Sequence, residues 1–135
     1  TMKLGNVQFR PLQPMERLSE LLATADVAVV PQKRGVRDIV LPSKLGNLLA
    51  SGRPVIAAAE RDTEFGRIVI ESGCGVLIEP GNGEQIASAI LGLIHMPDDR
   101  TRMGYSGRKY MEVELGSAAV LGGIAGRIEA LVAQG

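Results

Sequence analysis

Short β-type runs alternate with helical stretches along this chain. The first run is Asn6-Val7-Gln8-Phe9-Arg10, closed by Pro11. A helix is predicted from Pro14, because Met15, Leu18, Leu21, Leu22 and Ala25 recur at helical spacing. Ala28-Val29-Val30 reads as a buried strand ended by Pro31. A polar, basic loop runs over 32–41. Pro42-Ser43 then opens a helix with Leu45, Leu48 and Leu49 on its apolar face. Ser43 suits the N-cap, and Gly52 suits the left-handed position beyond the last turn.

Pro54-Val55-Ile56-Ala57-Ala58 is the third predicted strand. Asp62 or Thr63 caps a helix carrying Phe65, Ile68 and Val69, which stops at Gly73. Gly75-Val76-Leu77-Ile78 is the fourth strand, ended by Pro80-Gly81. Asn82 is placed to cap a helix that turns Ile86, Ile90, Leu93 and Ile94 inward. Pro97 breaks it, and Asp98 or Asp99 caps a more polar helix reaching about Glu114. Gly116-Ser117 opens a last helix with Leu121, Ile124, Ile128, Leu131 and Val132 on one face. Gly122, Gly123 and Gly126 weaken that helix by roughly 1 kcal/mol each relative to alanine.

Strands alternating with helices predict an α/β fold, a Rossmann-like parallel sheet with helices on both faces. Right-handed crossovers then gather every strand-to-helix loop on one sheet edge, where ligands of such folds sit. The loops so gathered are 10–12, 31–42, 58–62 and 79–82.

The chain has 135 residues, the size of one domain, and no repeat or linker divides it. Hydrophobic residues make up 45% and charged residues 22%, a globular balance. Fifteen basic and fifteen acidic residues cancel, which argues against nucleic-acid or membrane binding driven by overall charge. A single cysteine leaves no disulfide framework or cysteine-rich zinc site, and a single histidine leaves no multi-histidine centre. Two Tyr, two Phe and no Trp give little platform for stacking bases. No run of 18 apolar residues and no signal-peptide pattern occurs, so a cytoplasmic setting is expected. Cys74, between two glycines ahead of a strand, reads as a small packed side chain, and His95 reads as structural or surface.

Charge changes the picture only locally. Segment 31–46 holds Lys33, Arg34, Arg37 and Lys44 against Asp38, four cations minus one carboxylate, or +3, just before a helix N-terminus. Free N–H groups and the helix dipole at that position also favour an anion, phosphate above all. A solvated basic loop would carry the same charges, so this observation leaves both readings open.

More specific are the blocks Ala25-Asp26-Val27-Ala28-Val29-Val30-Pro31, Leu41-Pro42-Ser43-Lys44-Leu45 and Ala50-Ser51-Gly52-Arg53-Pro54-Val55-Ile56-Ala57. With Glu64 to Gly66, Ser72 to Gly75 and Pro80-Gly81-Asn82, they resemble the carboxyl-terminal half of group 1 retaining glycosyltransferases of the GT-B fold. The form Pro42-Ser43-Lys44-Leu45-x-Asn47-x-Leu49 is similar to transferases of bacterial exopolysaccharide, O-antigen and colanic acid assembly.

The resemblance implies a donor-binding domain, spanning 1–135, that holds a nucleotide-diphosphate sugar such as a UDP-sugar. The Ser43 hydroxyl, the backbone N–H groups of Lys44 and Leu45, and the Lys44 ammonium would hold the diphosphate. Asn47 would meet the ribose, Arg10, Pro11 and Leu12 would frame the base, and Lys33, Arg34 and Glu64 would add donor contacts. No cofactor or metal is expected, and no nucleic acid. Many relatives carry glutamates at the positions of Ile39 and Asn47. The ribose contact is thus uncharged here, the carboxylate that usually meets the donor sugar is replaced by isoleucine, and no residue is assigned as catalytic.

The resemblance further implies a fragment of a longer two-domain enzyme, inactive alone. It would lack the acceptor-binding amino-terminal domain and the opening strand–helix unit of its own domain. The acceptor would be lipid-linked or a polysaccharide, met at the inner membrane face. An exposed sheet edge would then favour self-association. Two alternatives are a GT-B sugar-nucleotide epimerase and a non-catalytic doubly wound module. The first needs extra carboxylate and histidine groups that are not found. A receiver-like form of the second needs an acidic edge where this one is basic. A dinucleotide-binding form needs Gly-x-Gly-x-x-Gly at a strand–helix turn, whereas Gly73-Cys74-Gly75 precedes a strand.

Overall fold

The computed structural model describes residues 4–35, 43–116 and 132–133. Three parallel strands lie in the order β1 (Ala28–Pro31), β2 (Val55–Ala58), β3 (Gly75–Ile78). Ala28 pairs with Val55 and Val55 with Gly75, so the strands run in step and end together. The helices are α1 (Leu18–Ala23), α2 (Ser43–Ser51), α3 (Glu64–Ser72), α4 (Gly83–His95) and α5 (Pro97–Tyr110). A 3-10 turn (Met15–Arg17) leads into α1, and a widened π turn (Met111–Leu115) prolongs α5.

The sheet separates two apolar layers, as the two-residue period of a strand requires. Val55, Ala57 and Ala59 point to one face, where Leu45, Leu48 and Leu49 of α2 and Phe65, Ile68 and Val69 of α3 cover them. Ile56, Ala58 and Ile78 point to the other, against Leu93, Ile86 and Ile90 of α4. All four residues of β2 are buried, which identifies it as the central strand. The expected α/β sheet with helices on both faces is therefore present.

The helix ends follow their sequence signals closely. The Thr63 hydroxyl oxygen accepts the Gly66 N–H at 3.0 Å, so Thr63 rather than Asp62 is the N-cap of α3. Asn82 Oδ1 accepts the Gln85 N–H at 3.0 Å and caps α4. Gly52 and Gly73 end their helices with φ of +68° and +63°, in the left-handed region that glycine enters without a Cβ penalty.

Several expectations are corrected. Asn6–Arg10 forms no strand. Phe9 is 96% exposed and Leu12 99% exposed, and the Val7 N–H instead closes a turn on the Leu4 carbonyl. A strand exists only through its ladder, and nothing among the described residues pairs with this segment. The predicted helix from Pro14 is a 3-10 turn followed by only six α-helical residues.

Pro97 does not merely break α4; it is the first residue of α5, where its missing N–H costs nothing. Asp98 and Asp99 therefore lie inside the first turn instead of capping it, still well placed against the helix dipole. Ile94 is 55% exposed, not inward. Met96 ends α4, and the Arg100 guanidinium donates to the Leu93 and Ile94 carbonyls there, satisfying acceptors that the helix leaves open. The predicted last helix falls almost entirely on 117–131, outside the described residues.

β1 is open on the side away from β2 among the described residues. The Ala28 N–H donates to the Pro54 carbonyl and the Gln32 N–H to the Ala58 carbonyl, both at 2.9 Å. By the alternation of a ladder, Val29 and Pro31 turn their backbone groups to the open side. Pro31 has no N–H to offer there, a position where proline is tolerated.

Candidate functional site

Because β1, β2 and β3 are parallel and in step, their carboxyl ends and following loops form one edge of the sheet. Three ties fix that edge. Gly35, at φ +78°, donates its N–H to Glu60 Oε1 at 3.2 Å, joining the loop after β1 to the loop after β2. The Glu60 carbonyl accepts both the Thr63 N–H at 3.2 Å and the Thr63 hydroxyl at 2.7 Å. Gly66 packs so closely on that carbonyl that a side chain there would overlap it. After β3, Gln85 Oε1 reaches back from α4 to accept the Glu79 N–H at 3.0 Å.

Between these loops lies a cavity of about 550 Å3, over the ends of β2 and β3. Arg34, Glu60, Arg61, Glu79 and Gln85 supply its polar lining. A shallower depression of about 370 Å3 adjoins it across Arg34, Glu79 and Pro80 and reaches the N-terminus of α4.

The sequence-predicted residues are distributed as follows. Ser43, Lys44 and Leu45 form the first turn of α2. The Leu45 side chain is fully buried in the core, which leaves only its backbone N–H for a ligand. Asn47 is exposed on the same helix, on the side away from Leu48 and Leu49. Lys33 and Arg34 are exposed on the loop after β1, and Arg34 lines the cavity.

Glu64 does not line that cavity. It starts α3 and adds its field at Tyr110, whose phenol is held above its ordinary range by burial, then by the carboxylates of Glu71 and Glu114, with a smaller push from Glu64. Arg10, Pro11 and Leu12 lie elsewhere. Arg10 donates to Gln8 Oε1 at 2.7 Å, and the Pro11 carbonyl accepts from Gln13 Nε2 at 2.9 Å. Arg10 lines a separate depression with Gln13, Arg17, Glu20, Leu21 and Thr24, which shares no residue with the cavity.

Glu60, Arg61, Glu79 and Gln85 were not singled out by sequence reasoning. Their only signal was position, within or just after the two loops that follow β2 and β3. Among the described residues, no group of three or more His, Cys, Asp or Glu side chains is arranged to hold a metal. No helix there is long and apolar enough to cross a membrane.

A parallel sheet that gathers its strand-to-helix loops at one carboxyl edge is the arrangement in which α/β folds place their ligands. The family of glycosyl transferases group 1 matches residues 2–110, and the chain belongs to that family. WcaI of Escherichia coli (strain K12), assigned as a glycosyl transferase of colanic acid biosynthesis, is 39% identical over 119 residues, covering 87% of this chain and 28% of that protein. WbjE of Pseudomonas aeruginosa, assigned as a glycosyltransferase, is 33% identical over 69 residues, covering 51% of this chain and 17% of that protein. Among solved structures, a sucrose-phosphate synthase from Thermosynechococcus elongatus superposes with a TM-score of 0.71 at 24% identity, over 89% of this chain and 29% of that one. The fold is that of the carboxyl-terminal domain of GT-B glycosyltransferases, and the chain spans less than a third of the relatives it matches.

Proposed function

We propose that this chain is the donor-binding domain of a retaining transferase that moves a sugar from a nucleotide-diphosphate sugar to a lipid-linked or polysaccharide acceptor. What carries the reading is the family match together with the opening of α2 at the carboxyl edge, behind a basic loop. Breaking the bond between the anomeric carbon and the diphosphate oxygen leaves charge on the diphosphate. The acceptor hydroxyl oxygen forms the new bond to that carbon. Donors fixed in advance on the developing charge lower the barrier without reorganising.

In this reading the Ser43 hydroxyl, the Lys44 ammonium and the N–H groups of Lys44 and Leu45 hold the diphosphate. Asn47 meets the ribose, Arg10 to Leu12 frame the base, and Lys33, Arg34 and Glu64 add donor contacts. No metal takes part. A separate acceptor domain completes the cleft at the cytoplasmic face of the membrane, and the open side of β1 supports weak self-association when this domain stands alone.

The test is an NMR titration with UDP, GDP, ADP and inorganic phosphate. Shifts centred on Ser43, Lys44, Asn47 and Arg10–Leu12, larger for one nucleotide, support the reading and name the base. Equal response to phosphate and to every nucleotide reduces it to an anion site. No response in a full-length relative-sized protein overturns it.

A further inference from the structure

We propose that Met111 is a positioning residue: from the π turn it props the first turn of α2 through Gly46, and so sets how well that turn is placed to hold a diphosphate. The proposal rests on the donor-site reading of α2 only for its ligand. The packing behind it stands apart from that reading.

α5 and its π extension run antiparallel along α2, and three contacts mark the line. At the C-terminal end of α2, Gly104 closes on the Gly52 carbonyl. In the middle lies Gly107, where a Cβ would stand 2.8 Å from Cys74 Cβ and 3.1 Å from Leu49 Cδ2. At the N-terminal end Met111 covers Gly46, where a Cβ would stand 3.6 Å from Met111 Cε and 3.8 Å from Sδ. Positions 104, 107 and 111 share one helix face, as do 52, 49 and 46, and one series advances while the other steps back.

The contacts differ in kind. The first sets backbone on backbone, and the second sets backbone on two fully buried side chains, so neither can yield. The third sets a flexible thioether on a bare Cα, which makes it the adjustable point of the three. It is also the one beside the proposed phosphate position. Gly46 directly follows Leu45, whose buried side chain joins Met111 and Leu115 in one apolar layer. The opening N–H groups of a helix have no partner in their own turn, so the placement of that turn depends on what packs against it. A π turn is a rare device that recurs at functional sites, and this one falls where the chain leaving α5 passes the opening of α2. Misplacing preset groups by about 1 Å can cost an enzyme about a hundredfold.

The experiment compares the 135-residue chain with Met111→Ala, the milder Met111→Val, Met111→Leu and Met103→Ala. Met103 lies on α5 but packs into the opposite apolar layer, so it matches the loss of a methionine without touching α2. Two quantities are read in each: amide hydrogen exchange along α2, and pyrophosphate affinity by calorimetry. Met111→Ala is expected to lower protection at Asn47 and Leu48 about fivefold or more beyond any change at Ala50 and Ser51, and to weaken pyrophosphate about fivefold or more. Met111→Val should fall between it and the parent, and Met111→Leu, which keeps the apolar volume, should restore most of both. Met103→Ala should lower Tm and leave both unchanged. The proposal is overturned if Met111→Ala alters protection evenly along α2, if Met103→Ala reproduces its effects, or if Met111→Leu does no better than alanine. It is equally overturned if the parent binds pyrophosphate and Met111→Ala binds it as well. A parent that binds no pyrophosphate overturns the donor site at α2 instead, and the exchange pattern then decides the role of Met111 alone.

Discussion

Gly104 of α5 faces the carbonyl oxygen of Gly52 so closely that a methyl group on Gly104 would overlap it. This approach brings α5 down on the end of α2. Gly104→Ala is expected to destabilise by about 1–3 kcal/mol, because the opposing atoms are backbone and cannot rotate away. Gly92, inside α4, has nothing within 4 Å of where a Cβ would stand. Gly92→Ala should therefore stabilise by up to about 1 kcal/mol. Thermal melts of the pair should shift in opposite directions; equal shifts would show that the Gly104–Gly52 approach is not what holds α5.

The cap of α3 provides a second test. Thr63 is buried, donates to the Glu60 carbonyl and accepts from the Gly66 N–H. Thr63→Ala removes both bonds and should cost about 1–2 kcal/mol, whereas Thr63→Ser keeps the hydroxyl and should recover most of it. Urea midpoints measure the difference. A serine variant as weak as the alanine one would assign the loss to the methyl group's packing.

Alkaline pH should weaken the fold through two groups. Burial raises the Cys74 thiol above its usual range, and burial followed by the Glu71 and Glu114 carboxylates raises the Tyr110 phenol. For a raised pKa the contribution is complete below the unfolded value. It is lost as pH climbs through the folded one, so the decline should begin above about pH 8.5 for the thiol and about pH 10 for the phenol. Tm followed from pH 7 to 11 should fall, and Tyr110→Phe should flatten the upper part of that fall. The Cys74 thiol should also resist alkylation until the chain unfolds.

At the proposed phosphate position, Lys44→Ala should reduce pyrophosphate affinity about tenfold, the worth of one charge-assisted contact. Raising salt should weaken binding in the parent more than in the variant. An unchanged affinity in isothermal titration would remove Lys44 from the site.

Much of the fold was legible because local chemistry decides it. Thr63, Asn82, Gly52 and Gly73 mark helix ends by satisfying, or permitting the chain to satisfy, backbone groups within a few residues. β2 was legible as an unbroken apolar run, since it is covered on both faces. Asn6–Arg10 misled because alternating Val7 and Phe9 mimic a strand, while a strand also needs a partner that sequence does not display. Pro97 misled because its ring both ends one helix and suits the first position of the next. The candidate site divides in the same way. Segment 31–46 stood out by charge alone. The mixed cavity did not, because Arg34, Arg61, Glu60 and Glu79 cancel one another and come together only when three loops meet on the sheet edge.

Pro31 sits where β1 turns its backbone to the side left open among the described residues, where the Val29 N–H also points. A guest strand could bond at Val29 but would run out of donors one ladder step later. Growth along this direction is therefore self-limiting. If copies of the domain pair along this edge, as proposed above, they would form discrete pairs, because the margin is too short to template the endless stacking that seeds fibres.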